Sequence, residues 1–263
     1  MHAVGSITPW RDHVACRLEP ADILLVHTKH SIWGRIIRLG THCHWNHALM
    51  VYSAGDEAVG HSNAIVIDAS TDGRIVLRKA SYYLGRPEKF DVAVTRLDAE
   101  WFQHGGGAPG LDVRSQICNV ALNEVDIEIG LRLVGLVDQF IRQCTVILRF
   151  IRRKLKIKHA PPRLPWNTRP AQFKAFTCGG FVQWSYYTGV TSVLGHRGTG
   201  TTRLKDVIFN PRIKQEAAPF ELLTTTPADL ANCGKLSWKY LLKGGVMEEL
   251  SGGDTLPIAP CLR

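Results

Sequence analysis

Residues 176–187 read FTCGGFVQWSYY, in which one cysteine precedes two glycines and a largely apolar run. Apolar side chains follow Cys178 at intervals of three, four and eight positions, which is the spacing of one face of a helix. We therefore predict that Cys178 begins a buried helix, where the helix dipole and free backbone N–H groups favour the thiolate. Free cysteine is also a common inert core residue. A catalytic interpretation of Cys178 therefore needs a partner histidine elsewhere in the chain.

The composition is that of a globular protein with a basic charge balance. The chain has 263 residues, 45% of them hydrophobic, and a net charge of +9. No repeat or linker divides it, so we predict a single domain over residues 1–263. The charge suits an anionic partner such as a membrane surface or cell-wall polymer, or a merely basic soluble protein. No nucleic-acid-binding signature is present, so we expect no specific nucleic-acid partner.

The cysteines and the N-terminal sequence bear on the compartment. There are seven cysteines, an odd number without a regular framework, which favours a reducing compartment over a disulfide scaffold. The first twenty residues lack the apolar core of a Sec signal peptide, and no uncharged apolar run reaches the length of a transmembrane helix. A cytoplasmic location is the default expectation, and export would need a route other than Sec.

Short apolar runs separated by turn residues predict an antiparallel sheet. The predicted strands lie within residues 20–27, 47–52, 64–69, 74–78 and 90–95. Connections this short are typical of hairpins and a meander. Between the first two strands, the alternation of apolar residues and arginines from Ser31 to Leu39 predicts an amphipathic helix that ends at Gly40.

The region from about 105 to 170 predicts a helical insertion. It opens with a glycine-rich linker, and apolar residues then recur every three or four positions between Leu133 and Leu155. Two interpretations remain open: this helix packs on the sheet with a solvated basic end, or residues 130–158 contact an anionic membrane. The glycine-rich residues after Lys243 predict a loose C-terminal tail.

The densest polar cluster, residues 41–47, reads THCHWNH and suggests either a metal site or a catalytic base. Four of its side chains are of types that bind zinc: His42, Cys43, His44 and His47. Four ligands within six positions cannot easily close a tetrahedron, and no second ligand pair appears. We therefore expect no metal and no cofactor, and interpret His47 as a base at the start of a strand.

A catalytic histidine needs a third group that holds its ring in the right tautomer. Asp68 is the best candidate, because it ends the strand that we expect beside the strand of His47. Two neighbouring strands would place both side chains on one sheet face, within hydrogen-bonding reach. His61 is the alternative orienting residue.

Five short motifs occur in the order PADILL (20–25), WNHALMV (45–51), VIDAS (66–70), FTCGGFV (176–182) and TTPADL (225–230). This order resembles the circularly permuted NlpC-type papain-like cysteine hydrolases, which include bacterial permuted amidases and relatives of lecithin:retinol acyltransferase. In that group the histidine strand precedes the cysteine helix, as it does here. The resemblance implies an α+β papain-like fold, in which the nucleophile helix packs on an antiparallel sheet. It also implies Cys178 as nucleophile, His47 as base, Asp68 as third member and Asp22 in an early turn.

The function implied by the resemblance is hydrolysis through a cysteine thiolate. The first expectation is a thiol peptidase or amidase acting on a peptide or isopeptide bond, such as those of peptidoglycan. One alternative is a lipid ester hydrolase or acyltransferase that uses the same triad at a membrane surface. A second alternative is a binding module that keeps the fold without turnover.

Overall fold

The computed structural model describes residues 17–55, 63–70, 74–103, 113–125, 177–194, 204–211 and 222–250. Within these ranges the secondary structure is, in chain order, β1 (Ile23–Thr28), α1 (Ile32–Thr41), β2 (His47–Ser53), β3 (Ile65–Ala69), β4 (Ile75–Lys79), α2 (Ser81–Leu84), β5 (Phe90–Leu97), α3 (Glu100–Gln103), α4 (Val113–Leu122), α5 (Cys178–Leu194), α6 (Pro227–Asn232), β6 (Leu236–Lys243) and β7 (Val246–Glu249).

The strands in the described ranges form one seven-stranded antiparallel sheet in the order β4-β3-β2-β1-β5-β6-β7. The five predicted strands are confirmed as β1 to β5, and so are the antiparallel pairing and the mixture of helices with a sheet. The first strand lies in the middle of the sheet, between β2 and β5. Strands β6 and β7, which the sequence analysis did not predict, extend the sheet beyond β5.

Both faces of the central strands are covered. Ile23 and Leu25 of β1 belong to the core that includes α5, whereas Leu24 and Val26 belong to a second core on the other face. Alternate side chains of a strand point to opposite faces, so a strand covered on both sides is apolar at every position. This explains why the sequence of β1 is a continuous apolar run.

The helix that begins at Cys178 is the longest in the described part of the chain and packs against α4 and β2. Its buried Gln183 accepts the Phe209 N–H and donates to the Val207 carbonyl, both at 2.6 Å. The hydroxyl of Tyr186 donates to the backbone carbonyl of Ala21, just before β1. Among the described residues, no helix has the length and apolarity needed to cross a membrane.

Part of the predicted insertion belongs to the core instead. Helix α4 lies within residues 105–170, and its Ile117 and Cys118 are buried in the same cluster as Phe181 of α5. The Gly189 backbone of α5 comes close to Ile117, which holds the two helices together. The helical structure expected for this region is present at Val113–Leu122, and the insertion over residues 105–170 stays a prediction. The predicted helix between 133 and 155, and with it the proposed membrane contact of residues 130–158, lies outside the described residues.

Two predicted boundaries are wrong for reasons that lie in the backbone. Helix α1 continues through Gly40 to Thr41, whose hydroxyl donates to the Ile37 carbonyl, and His42 takes the left-handed capping conformation with φ 50°. The residues after Lys243 are not loose up to position 250. Gly244 and Gly245 have φ 60° and 84° and form the tight turn of the β6–β7 hairpin. Residues 251–263 lie outside the described part.

The turn before β1 fixes Asp22, which the resemblance placed in an early turn. Ala21 has φ 66°, a left-handed conformation that glycine adopts more easily. Asp22 is fully buried, and its carboxylate accepts hydrogen bonds from Nε and Nη2 of Arg96 at 2.7 and 2.8 Å. Its carbonyl also accepts the Val51 N–H at 2.8 Å, which ties the turn to β2.

Replacing Gly189 by alanine tests the packing of α4 on α5. A Cβ atom at this position would lie 2.7 Å from the Ile117 Cα atom, which cannot move without shifting α4. Overpacking of this kind costs about 1–3 kcal/mol, and the better helix propensity of alanine offsets about 1 kcal/mol of it. We expect Gly189→Ala to lower the free energy of unfolding in urea. Thr188→Ala, at a half-exposed neighbouring position, should change it little; equal stability of both variants would contradict the close approach.

Candidate active site

Cys178 is the first residue of α5, and Thr177 caps the helix. The Gly180 N–H donates to Thr177 Oγ1 at 2.8 Å, and the Thr177 hydroxyl donates to the Thr225 carbonyl at 2.6 Å. The first N–H groups of a helix have no partner in the helix itself. The cap occupies the N–H of Gly180, whereas the N–H of Gly179 hydrogen-bonds to the side chain of Cys178.

The two glycines after the cysteine are required by close packing against residues 222–226. A Cβ atom on Gly179 would lie 2.7 Å from the Thr225 carbonyl oxygen, and one on Gly180 would lie 2.0 Å from that of Leu223. The short helix α6 then begins at Pro227, with Thr226 as its N-cap in a capping box. The helix start that carries the thiol is thus held by backbone from a distant segment.

His47 is the first residue of β2, and its ring meets the carboxylate of Asp68. The distance from His47 Nε2 to Asp68 Oδ1 is 2.8 Å. Asp68 lies near the end of β3, the strand that pairs with β2, so the predicted juxtaposition on adjacent strands is confirmed. The His47 side chain keeps 14% of its surface exposed, whereas that of Asp68 keeps 2%.

The sequence analysis missed two residues that hold Asp68. Its Oδ2 accepts a hydrogen bond from Arg78 Nε at 2.8 Å and another from the Tyr83 hydroxyl at 2.7 Å. Burial alone would raise the pKa of Asp68, but the hydrogen bond and charge of His47, with the contributions of Tyr83 and Arg78, lower it. Asp68 therefore stays ionised and fixed opposite His47. The sequence did offer a signal for Arg78, because this residue lies on the predicted fourth strand, which pairs with the strand of Asp68.

Cys178 and His47 hydrogen-bond to each other and stabilise each other's charged form. Burial disfavours the imidazolium, but the charge of Cys178 and the hydrogen bonds to Asp68 and Cys178 raise the pKa of His47 to about 10. Burial likewise opposes the thiolate. The charge and hydrogen bond of His47, together with the N–H groups of Ala48 and Gly179, outweigh it and lower the pKa of Cys178. The contact therefore favours the thiolate of Cys178 and the imidazolium of His47.

The other sequence candidates do not join this group. His61 lies outside the described residues. The zinc ligands considered in residues 41–47 are not gathered at one point, because His47 bonds to Asp68 whereas His44 lies against His27. Cys43 is buried in the core on the α5 face of the sheet.

No protein family, curated protein or solved structure matches the chain. Function must therefore be argued from the site and not from kinship. The site joins a thiol, an imidazole and a carboxylate in series, and this combination of nucleophile, base and orienting group recurs on unrelated folds.

Replacing Tyr83 by phenylalanine tests the support of Asp68. The variant removes one donor from a buried carboxylate, which costs about 1–3 kcal/mol. The pKa of Asp68 is lowered by folding, so this stability is present above the unfolded pKa of about 4 and is lost as the pH falls through the lower folded value. We expect Tyr83→Phe to be less stable than the wild type in urea at neutral pH, and the difference to shrink in acid.

The matched control is Tyr82→Phe. Tyr82 is the adjacent residue, 37% exposed, and its ring stacks under Arg86. Removing its hydroxyl should leave stability nearly unchanged at every pH. If both variants lose the same stability, or if the loss at Tyr83 is independent of pH, the hydrogen bond to Asp68 is not the cause.

Proposed function

We propose that the protein is a cysteine hydrolase of the papain-like, circularly permuted NlpC type that cleaves an amide bond. The observation that carries the proposal is the continuous contact from Cys178 through His47 to Asp68. A thiol paired with an imidazole that a buried carboxylate orients is an activated nucleophile.

The papain-like class is supported by the order and placement of the elements. The strand that carries His47 precedes the helix that carries Cys178, and this helix packs on an antiparallel sheet. The same order led to the resemblance drawn from the sequence. A nucleophile at the N-terminus of a buried helix also gains from the helix dipole.

In the proposed reaction, the Cys178 thiolate attacks the substrate carbonyl carbon and forms a tetrahedral intermediate. The first-turn N–H groups of Cys178 and Gly179 lie near the sulfur and could receive the oxyanion, a contribution of about 3–4 kcal/mol in comparable sites. The His47 imidazolium gives its proton to the leaving amine, and the carbon–nitrogen bond breaks. His47 then takes a proton from water, whose oxygen attacks the thioester, and the carboxylic acid product leaves with the thiolate restored.

The first choice of substrate is a peptide or isopeptide, including those of peptidoglycan. The net charge of +9 favours association with an anionic polymer. Charge acts on association and does not select the bond that is cleaved, so the substrate has to be found by assay.

A lipid ester hydrolase or acyltransferase is the second candidate, and the surface of α1 favours it. Ile32 is 75% and Leu39 63% exposed, and the exposed Arg35 lies on the same helix. A helix that presents large apolar side chains beside basic ones is suited to the surface of an anionic membrane. A thioester formed on Cys178 from a lipid ester would pass its acyl group to water or to an amine.

The thiol can be tested without knowing the substrate. At about pH 6 an ordinary thiol is almost entirely protonated, whereas the lowered pKa of Cys178 gives this thiol a larger thiolate fraction. We expect iodoacetamide to label Cys178 ahead of the other six cysteines, as measured by peptide mass spectrometry over a pH series. Cys233 is the internal control, because it is also partly buried but burial raises its pKa.

Equal labelling of Cys178 and Cys233 at low pH would count against an activated nucleophile and in favour of a binding module without turnover. His47→Gln should return the pH dependence of Cys178 labelling to that of an ordinary thiol. Circular dichroism of the variant excludes unfolding as the cause.

Substrate class is decided by a parallel assay. The protein is incubated with purified peptidoglycan and with anionic phospholipid vesicles, and released amines and fatty acids are measured. We expect amine release from peptidoglycan that is abolished by Cys178→Ala, a variant that should fold normally. Fatty-acid release alone, with the same sensitivity to Cys178→Ala, would replace the amidase with the lipid enzyme. Activity that survives in Cys178→Ala would remove the nucleophile assignment.

A further inference from the structure

His27, His44 and Asp91 form a second polar cluster, whose hydrogen bonds and ion pairs do not include Cys178, His47 or Asp68. His27 near the end of β1 and Asp91 near the start of β5 are direct partners across the two antiparallel strands. His44 reaches them from the loop between α1 and β2. The side chains of His27 and Asp91 are 10% and 4% exposed, and that of His44 is 26% exposed.

Three atoms of this cluster converge on one point. His27 Nδ1 lies 2.9 Å from His44 Nε2, and Asp91 Oδ2 lies 3.4 Å from the first and 3.6 Å from the second. A tetrahedral zinc ion binds nitrogen and oxygen at about 2.0–2.2 Å, which separates neighbouring ligand atoms by about 3.3–3.5 Å. The observed distances bracket this separation, so one ion fits with little movement of the side chains.

We propose that His27, His44 and Asp91 bind a divalent transition-metal ion of the zinc type. Two imidazole nitrogens and one carboxylate oxygen form a donor set that zinc accepts, and they leave the fourth position for water. A site built from residues 42–47 alone could not close, as the sequence indicated. The site proposed here takes only His44 from that segment and obtains its other ligands from β1 and β5.

The carboxylate is already oriented for this role. Asp91 Oδ1 accepts hydrogen bonds from Lys29 Nζ at 2.8 Å and from the Gly244 N–H at 3.0 Å. These contacts leave Oδ2 directed at the two imidazoles. Outer partners of this kind fix the ligands of metal sites.

One neighbour competes with the ion. Arg38 Nη1 lies 2.6 Å from His27 Nε2 and can only donate a proton to it. This contact places the His27 proton on Nδ1, the atom that would bind the metal. The ion must therefore displace that proton, and Nε2 must become a donor that no longer faces Arg38. Removing the Arg38 side chain should consequently strengthen metal binding, a result that damage to the fold cannot produce.

The experiment uses the full-length Cys178→Ser variant, because the thiol and His47 of the proposed active site could themselves bind zinc. The protein is treated with a chelator, dialysed, and titrated with Zn²⁺ by calorimetry and with Co²⁺ by visible absorption. We expect one equivalent to bind, with Co²⁺ bands of a tetrahedral site and no sulfur-to-cobalt charge-transfer band. That band would reveal a thiolate ligand such as Cys43.

Four variants in the same background test the ligands and their neighbours. Replacing a ligand should cost more than the roughly 10–100-fold loss typical of outer partners, so His44→Ala and Asp91→Asn should each weaken Zn²⁺ binding by at least about 100-fold. His30→Ala, which removes an exposed histidine of the neighbouring turn, should leave it unchanged. Arg38→Ala should tighten binding by about 10-fold, because the charge-assisted hydrogen bond from Arg38 to His27 no longer has to be broken.

The proposal is overturned if no Zn²⁺ binds, if binding survives His44→Ala and Asp91→Asn, or if Arg38→Ala does not tighten it. A sulfur-to-cobalt band would also overturn it. The result does not depend on the proposed hydrolase activity, since zinc binding is measured in a variant that lacks the Cys178 thiol.

Discussion

The site depends on one electrostatic interaction, the mutual attraction that favours a thiolate at Cys178 and an imidazolium at His47. Burying either ion alone would be unfavourable, and the opposite charge of its partner offsets this desolvation penalty. The pair forms where the first turn of α5 meets the first residue of β2. The start of α5 is held in place by Thr177, which caps the helix and donates to the Thr225 carbonyl, and by the close approach of Gly180 to the Leu223 backbone.

The surrounding groups balance the charge and restrict its movement. Asp68 supplies the negative charge on the far side of the imidazolium, and Arg78 and Tyr83 fix its second oxygen. From the Cys178 sulfur through His47 and Asp68 to the Arg78 guanidinium, negative and positive groups alternate. Such a network is stable only if every member is satisfied, because an unpaired ion at this depth would be neutralised by a shift of its pKa. This is why the site is better described as a network than as three residues.

Local patterns in the sequence were sufficient to predict the strands that carry His47 and Asp68. They were not sufficient to predict the residues that hold Asp68 in place. His47 and Asp68 could be paired because each lies at an end of an apolar run, and short loops make neighbouring runs antiparallel partners. The role of Tyr83 could not be predicted, because its hydroxyl reaches Asp68 from beyond the next strand and leaves no periodic trace. Strand β6 was missed because its burial is irregular, and the glycines at 244 and 245 resemble a flexible tail until their positive φ angles are known.

The most direct test of the ion pair is the titration of the His47 ring, followed by nitrogen-15 NMR of the imidazole. The account predicts an imidazolium through neutral pH with a midpoint near pH 10, and a large fall of that midpoint toward the ordinary value of about 6.5 in Cys178→Ala. A ring that titrates near about 6.5 in the wild type, or a midpoint that Cys178→Ala leaves unchanged, would contradict it.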